Sequence, residues 1–135
     1  MGLFLKDINL KGKTALITGA TKGLGRGAAI ALAQTGANII AIGRNQSELK
    51  SLEKIIKKLK VKYTFFNCDV NDYKTIKNNI SKLKKLDILV NNAGTNIPEP
   101  FLKVKKSSME TILNVNTKAV FNVAQLCANQ IIKLN

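Results

Sequence analysis

The 135 residues suffice for one domain, and a hydrophobic share of 45% permits a packed core and argues against disorder. No apolar run reaches the roughly 18 residues that a membrane span needs, and residues 1–11 lack the apolar stretch of a signal peptide. The formal charge of +14 permits attraction to nucleic acid, but the lysines are scattered along the sequence, arginine occurs only at Arg26 and Arg44, and the aromatics do not alternate with cations. The expectation is a lysine-rich solvated surface, with no nucleic-acid and no membrane partner.

Short apolar runs alternate with helix-like segments. Thr14 to Thr18 reads as a first strand. Residues 24–35 have helical spacing and stop at Gly36. Residues 38–42 form a second strand, and Ser47 is placed to cap a helix with Leu49, Leu52, Ile55, Ile56 and Leu59 on one face. Residues 63–68 are a third strand, ending in Cys68. Asn71 or Asp72 opens a third helix carrying Ile76, Ile80 and Leu83. Residues 88–91 are a fourth strand, followed by a loop with Pro98 and Pro100. Ser107 or Ser108 begins a long final helix. Cys68 and Cys127 make no disulfide framework and read as buried, reduced thiols of a cytoplasmic protein.

Strands alternating with helices imply βαβ units, a parallel sheet and right-handed crossovers. Near-continuous apolar strands imply helices on both faces. The pattern therefore predicts an α/β, doubly wound parallel sheet of the Rossmann type, here a single domain over residues 1–135 with covering helices.

The turn Thr18-Gly19-Ala20-Thr21-Lys22-Gly23-Leu24-Gly25 joins the first strand to the first helix. Gly19 suits a tight turn. Gly23 lets the backbone approach a diphosphate with no Cβ in the way, and Gly25 lets the helix sit close to the sheet. The helix N-terminus would offer free N–H groups and a positive dipole end to the phosphates.

These residues resemble the cofactor motif of the short-chain dehydrogenases/reductases. Three further segments match that family in order: Asp69-Val70 after the third strand, Asn91-Asn92-Ala93-Gly94 after the fourth, and Asn116 within Asn114-Val115-Asn116. The resemblance implies the partial strand order 3-2-1-4. It also implies a cofactor site built from Gly19, Thr21, Lys22, Gly23, Leu24, Gly25, Arg44, Asp69, Val70, Asn91, Ala93 and Gly94. Asp69 would accept a hydrogen bond from the adenine amino group, and Asn91 and Asn92 would hold the strand end and meet the cofactor ribose. Asn116 is identified with the asparagine of the family's catalytic tetrad, which holds a water in the proton relay. On the long helix, residues 113, 116, 120, 124, 127 and 131 share a face, so Asn116 is expected as the polar exception on a buried stripe that needs hydrogen-bond partners. The apolar residues off that stripe suggest a second covered face, in keeping with a homodimer or homotetramer of the full-length form.

Cofactor preference follows from the end of the second strand. An acid there commonly binds the ribose 2′-hydroxyl of NAD. Ala41-Ile42-Gly43-Arg44-Asn45 has none. Arg44 suits a 2′-phosphate and Lys22 adds a second cation, so NADP(H) is expected over NAD(H). The implied function is hydride transfer between nicotinamide and a small-molecule carbonyl or secondary alcohol, in the style of 3-oxoacyl-acyl-carrier-protein reductases or gluconate-type dehydrogenases. No metal is expected. The alternative is a non-catalytic module that binds a nucleotide or a partner.

The family's serine and Tyr-x-x-x-Lys follow a fifth strand and do not occur here after residue 91, so the chain is expected to be an N-terminal fragment, inactive alone. Tyr73-Lys74-Thr75-Ile76-Lys77 spells the pair, but it precedes the fourth strand and falls on a sheet-covering helix. A fourth strand left as an open edge invites association between chains. The 135-residue chain is therefore expected to be poorly stable, and a cooperative, concentration-independent thermal melt of a monomer would overturn this.

Overall fold

The computed structural model describes residues 7–134; most of the stretch inspected for a leader, residues 1–6, lies outside them. Four parallel strands, β1 (Thr14–Thr18), β2 (Asn38–Gly43), β3 (Tyr63–Asn67) and β4 (Ile88–Val90), lie in the order β3-β2-β1-β4. Helices α1 (Gly23–Gln34), α2 (Gln46–Lys57) and α3 (Tyr73–Ser81) connect them in turn. This is the expected doubly wound order. The third and fourth strands each end one residue sooner than the sequence suggested, which frees Cys68 and Asn91 to turn out of the sheet.

Successive strand residues point to opposite faces, so each central strand feeds two cores. Ala15, Ile17, Ile39 and Ala41 pack under α1 and α2, against Ala29, Ala33, Leu49, Leu52 and Ile56. Leu16, Ile40 and Ile42 face the other layer, with Ile76 and Ile80 of α3, Leu86, Val123 and Cys127. β1 is buried at every position. Burial on both faces explains why neither β1 nor β2 alternates polar and apolar residues.

Two helix starts differ from expectation. α2 is capped by Asn45, whose Oδ1 accepts the Glu48 N–H at 3.2 Å. Ser47 lies inside the helix and donates its hydroxyl to the same oxygen at 2.8 Å. β2 runs on to Gly43, so the chain enters the helix at once and the cap falls two residues earlier. Asp72 caps α3 as expected. Its Oδ1 accepts from the Thr75 N–H at 3.1 Å and its Oδ2 from the Thr75 hydroxyl at 2.6 Å. Those bonds, the hydroxyl's first, hold the Asp72 carboxyl below its ordinary range.

The final helix begins at Lys106, with no side chain capping it, rather than at Ser107 or Ser108. It runs as α4 (Lys106–Leu113), a π-helical segment (Asn114–Ala119) and α5 (Val120–Leu134). Its buried line is Ser108, Ala119, Val123, Cys127 and Gln130; Leu113 and Asn116, assigned to the buried stripe, are exposed. So much of this helix is apolar that two stripes one residue apart looked alike, and the wider π winding breaks the 3.6-residue count between them. Gln130 is the buried amide on that line instead, donating to the Leu83 carbonyl at 2.7 Å.

Topology also gathers lysines that look scattered in the sequence. Lys11 and Lys13 lead into β1, Lys58, Lys60 and Lys62 into β3, and Lys82, Lys84 and Lys85 into β4. Because the strands are parallel, these exposed side chains share one edge of the sheet, opposite the carboxyl ends.

Asp87 pins that edge. Its Oδ2 accepts the Thr14 N–H at 2.8 Å, its Oδ1 meets Lys13 Nζ at 3.2 Å, and its own N–H donates to the Thr14 carbonyl at 2.9 Å. Burial pushes the Asp87 carboxyl up, but the Thr14 and Lys13 hydrogen bonds and the Lys13 charge outweigh it, so its pKa lies below the ordinary value. A carboxyl lowered by folding stabilises the fold above its unfolded pKa and loses that contribution as pH falls through the folded one. Asp87→Ala should cost about 1–3 kcal/mol near neutral pH, by the worth of a charge-assisted hydrogen bond. Urea melts should show the gap to the parent closing below about pH 4, the ordinary Asp pKa; a gap independent of pH would refute the clamp.

Candidate cofactor site

The carboxyl ends of the strands frame a cleft of about 1090 Å³. Ligands in open α/β sheets bind at this edge. From β1 come Gly19, Thr21, Lys22, Gly23 and Leu24; beyond β2 comes Arg44; beyond β3 come Asp69 and Val70; beyond β4 come Ala93 and Gly94. All ten are expected site residues, brought together from four separate loops. Gly25, Asn91 and Asn116 do not line the cleft, and each acts on its walls instead.

Gly25 shapes the floor. A Cβ there would strike the Gly19 carbonyl and the Asn92 side-chain amide, so only glycine lets α1 start this close to the end of β1. Gly19 (φ +64°) and Gly23 (φ +56°) both take left-handed backbone, which glycine adopts without strain. Beside Gly23 nothing lies within 4 Å of where a Cβ would be, which leaves its backbone open to the cleft. The N-cap of α1 is Lys22, whose ammonium can only donate, so no side chain caps this start, in contrast with α2 and α3.

Thr18 organises the loop, a role the sequence reading missed. Its hydroxyl oxygen accepts the Asn92 N–H at 3.0 Å and the Ala93 N–H at 2.9 Å, and it donates to Asn91 Oδ1 at 3.4 Å. Asn92 returns the contact: its Nδ2 donates to the Thr18 carbonyl at 3.1 Å and the Gly19 carbonyl at 3.3 Å. Asn91, while accepting from Thr18, donates its Nδ2 to the Val120 carbonyl at 2.7 Å. The Asn-Asn pair therefore splits its work. One amide holds the glycine turn, and the other ties the end of β4 to the start of α5. The signal was present in the sequence, since both asparagines follow a strand that must lie beside β1.

Gly43 was also missed. A Cβ on it would strike the Thr21 methyl, so the glycine turn and the end of β2 are packed in contact. Past Gly43, Arg44 Nη1 lies 3.7 Å from Asp69 Oδ2. This ion pair spans the mouth, with the Arg44 side chain 77% exposed and that of Asp69 41% exposed. Such an exposed pair contributes little to stability.

Asn116 is exposed, yet both ends of its amide bond the backbone: Nδ2 donates to the Thr95 carbonyl at 2.9 Å and Oδ1 accepts the Thr95 N–H at 2.8 Å. The π-helical segment thus presents a side chain that fastens the loop after Gly94. Tyr73 and Lys77 sit on α3, and neither lines the cleft. Cys127 is buried and its thiol is pushed up to about 11 by that burial. Cys68 is only half-buried and borders the cleft; burial first, then Asp72 and Asp69, push its thiol up. Among the described residues no group of acidic, histidine or cysteine side chains could hold a metal, and no helix is long and apolar enough to cross a membrane.

A glycine turn with open backbone, an uncapped helix start and a cleft of mixed polar and apolar lining at the carboxyl edge together fit a dinucleotide. The model of the short chain dehydrogenase family matches residues 13–135, and the chain belongs to that family of oxidoreductases, which bind NAD or NADP. It is 36% identical over 126 residues to an L-xylulose reductase of Mesocricetus auratus, covering 93% of this chain and 50% of the relative. It is 40% identical over 114 residues to a 3-oxoacyl-[acyl-carrier-protein] reductase of Rickettsia conorii, covering 84% and 46%. A solved short-chain type dehydrogenase/reductase from Mycobacterium marinum superposes with a TM-score of 0.87 at 29% identity, covering 93% of this chain and 52% of that one. The chain thus spans about half the length of the relatives it matches.

Gly25→Ala tests the site's floor. It should lower stability by about 1–3 kcal/mol, the cost of overpacking, and abolish binding of NADPH and NADH alike, measured by fluorescence titration. Full binding by a stable Ala variant would show that the close approach is not required.

Proposed function

We propose that this chain forms the cofactor-binding half of an NADP(H)-dependent oxidoreductase acting on a small carbonyl compound or secondary alcohol. The observation that carries the reading is Arg44, placed at the end of β2 where an acid would select NAD, on a cleft whose floor is a glycine turn. When bound, the nicotinamide supplies a hydride donor or acceptor.

The chain's own residues divide the binding. Gly19, Gly23 and the first turn of α1 would meet the diphosphate with backbone N–H groups and the positive end of the helix. Arg44 and Lys22 would take the 2′-phosphate, where the planar guanidinium suits a bidentate contact. Asp69 would accept from the adenine amino group, with Val70 beside the ring. The small Ala93 and Gly94 would let the adenosine pass close to the chain, and Asn91 would hold that strand end. Asn116, by fastening Thr95, would fix the wall between cofactor and substrate and hold a water for proton transfer.

Proton transfer itself needs a positioned acid, worth about 10²–10⁴ in rate. The two tyrosines of this chain, Tyr63 and Tyr73, both precede β4, so the proposed turnover draws on the family's serine and tyrosine–lysine pair from outside these 135 residues. In the whole protein the same cleft would serve a homodimer or homotetramer in the cytoplasm.

Arg44→Ala separates the two cofactors. Calorimetric titration should show NADPH affinity falling about tenfold or more, as loss of a charge-assisted contact predicts, while NADH affinity stays within about twofold. Equal loss for both cofactors would reject the 2′-phosphate role.

A further inference from the structure

Arg26 borders the cleft and is a natural candidate for a phosphate ligand, but its guanidinium is already engaged. Nη1 donates to the Thr21 carbonyl of the glycine turn at 3.3 Å and to the Glu48 carbonyl in the first turn of α2 at 3.2 Å. Nη2 donates to Ser51 Oγ at 3.0 Å, and the Glu48 carboxylate lies 3.6 Å from Nη1. Both Nη1 hydrogens and one on Nη2 are therefore used. The side chain is only 20% exposed.

These contacts join two loops that would each hold a different phosphate. On one side is Thr21, within the diphosphate turn. On the other is the start of α2, fixed by its Asn45 cap directly after Arg44. The two loops also touch where the Ala20 N–H donates to the Ile42 carbonyl at 3.2 Å and where the Thr21 methyl packs on Gly43. Those contacts lie at the strand ends. Arg26 spans the helix side, where nothing else among the described hydrogen bonds and ion pairs joins the turn to α2.

We infer that Arg26 is a positioning residue that fixes the separation between the diphosphate turn and the 2′-phosphate loop, so that one dinucleotide meets both at once. This rests on the reading of the cleft as an NADP(H) site. The physics is that of a two-point ligand: each end binds its own loop, and the advantage of joining them is lost when the loops move independently. The planar guanidinium spreads its donors over separate nitrogens in a fixed fork and so reaches three acceptors on two elements, whereas a lysine's three donors share one nitrogen.

The test uses the 135-residue chain with NADPH, NADH and 2′-AMP, the last carrying the adenosine and 2′-phosphate without the diphosphate. Arg26→Gln and Arg26→Lys should each weaken NADPH about tenfold, as loss of two-point binding predicts, and leave within about twofold both NADH, which lacks the 2′-phosphate, and 2′-AMP, which lacks the diphosphate. Amide hydrogen exchange should rise across residues 20–25 and 46–51 in both variants. Ser51→Ala, which keeps the arginine and removes one anchor, should shift the same readouts in the same direction by less, and it serves if the Arg26 variants do not fold. Loss confined to NADPH and 2′-AMP would make Arg26 a direct 2′-phosphate ligand and overturn the proposal. So would full recovery in Arg26→Lys, which would show that charge alone matters, or unchanged exchange with unchanged affinity. A parent chain that binds neither dinucleotide would reject the cofactor reading itself, and this proposal with it.

Discussion

The approach of α1 to the end of β1 governs the rest of this site. The helix starts so close to the sheet that the Gly19 carbonyl and the Asn92 amide occupy the space a side chain at position 25 would need. That proximity brings the positive end of the helix to the carboxyl edge of the sheet. It also forces the turn through two left-handed glycines. The turn's polar backbone is then satisfied from β4, because Asn92 donates to the carbonyls of Thr18 and Gly19 and the Thr18 hydroxyl accepts two N–H groups in return. Close packing and reciprocal hydrogen bonding are two aspects of one arrangement. A larger residue at 25 would displace the amide as well as the helix.

Charge is arranged on this frame in two ranges. Among the lysines that raise the net charge to +14, one group sits along the opposite edge of the sheet, at the starts of β1, β3 and β4. At the cleft the cations are few, and the two arginines each have a definite neighbour. Arg44 faces Asp69 across the mouth at 3.7 Å, and Arg26 is held between two loops. Salt screens the distant lysines over about 8–10 Å, so at the cleft local geometry outweighs the overall field. The Arg44–Asp69 pair is loose and exposed, and a cofactor entering the cleft can separate it at small cost.

The final helix carries the main lesson about periodicity. Leu113, Val120, Phe121, Val123, Ala124 and Leu126 make it apolar on most sides, so the sequence offered two adjacent stripes of similar character. Contact with α3 and the sheet selected the line through Ala119, Val123 and Cys127. The π-helical segment then left Asn116 outside that line, free to bond both backbone groups of Thr95. A buried amide was expected; an exposed amide fastening a loop was found. The difference follows from local unwinding, which no count of residues reports.

Much was legible from the sequence because it depends on local chemistry: the four strands, the helix cap at Asp72, the glycine turn, and the absence of an acid after β2. Each rests on residue types that favour one backbone conformation, or on contacts only a few residues apart. What tertiary structure alone decided are the contacts between segments far apart in the chain. Thr18 and Asn92 meet across 74 residues, Arg26 joins the turn to α2, and Gly43 packs on Thr21. No spacing rule encodes these pairs, because they depend on how closely neighbouring strands and helices can approach once the core has set their distance.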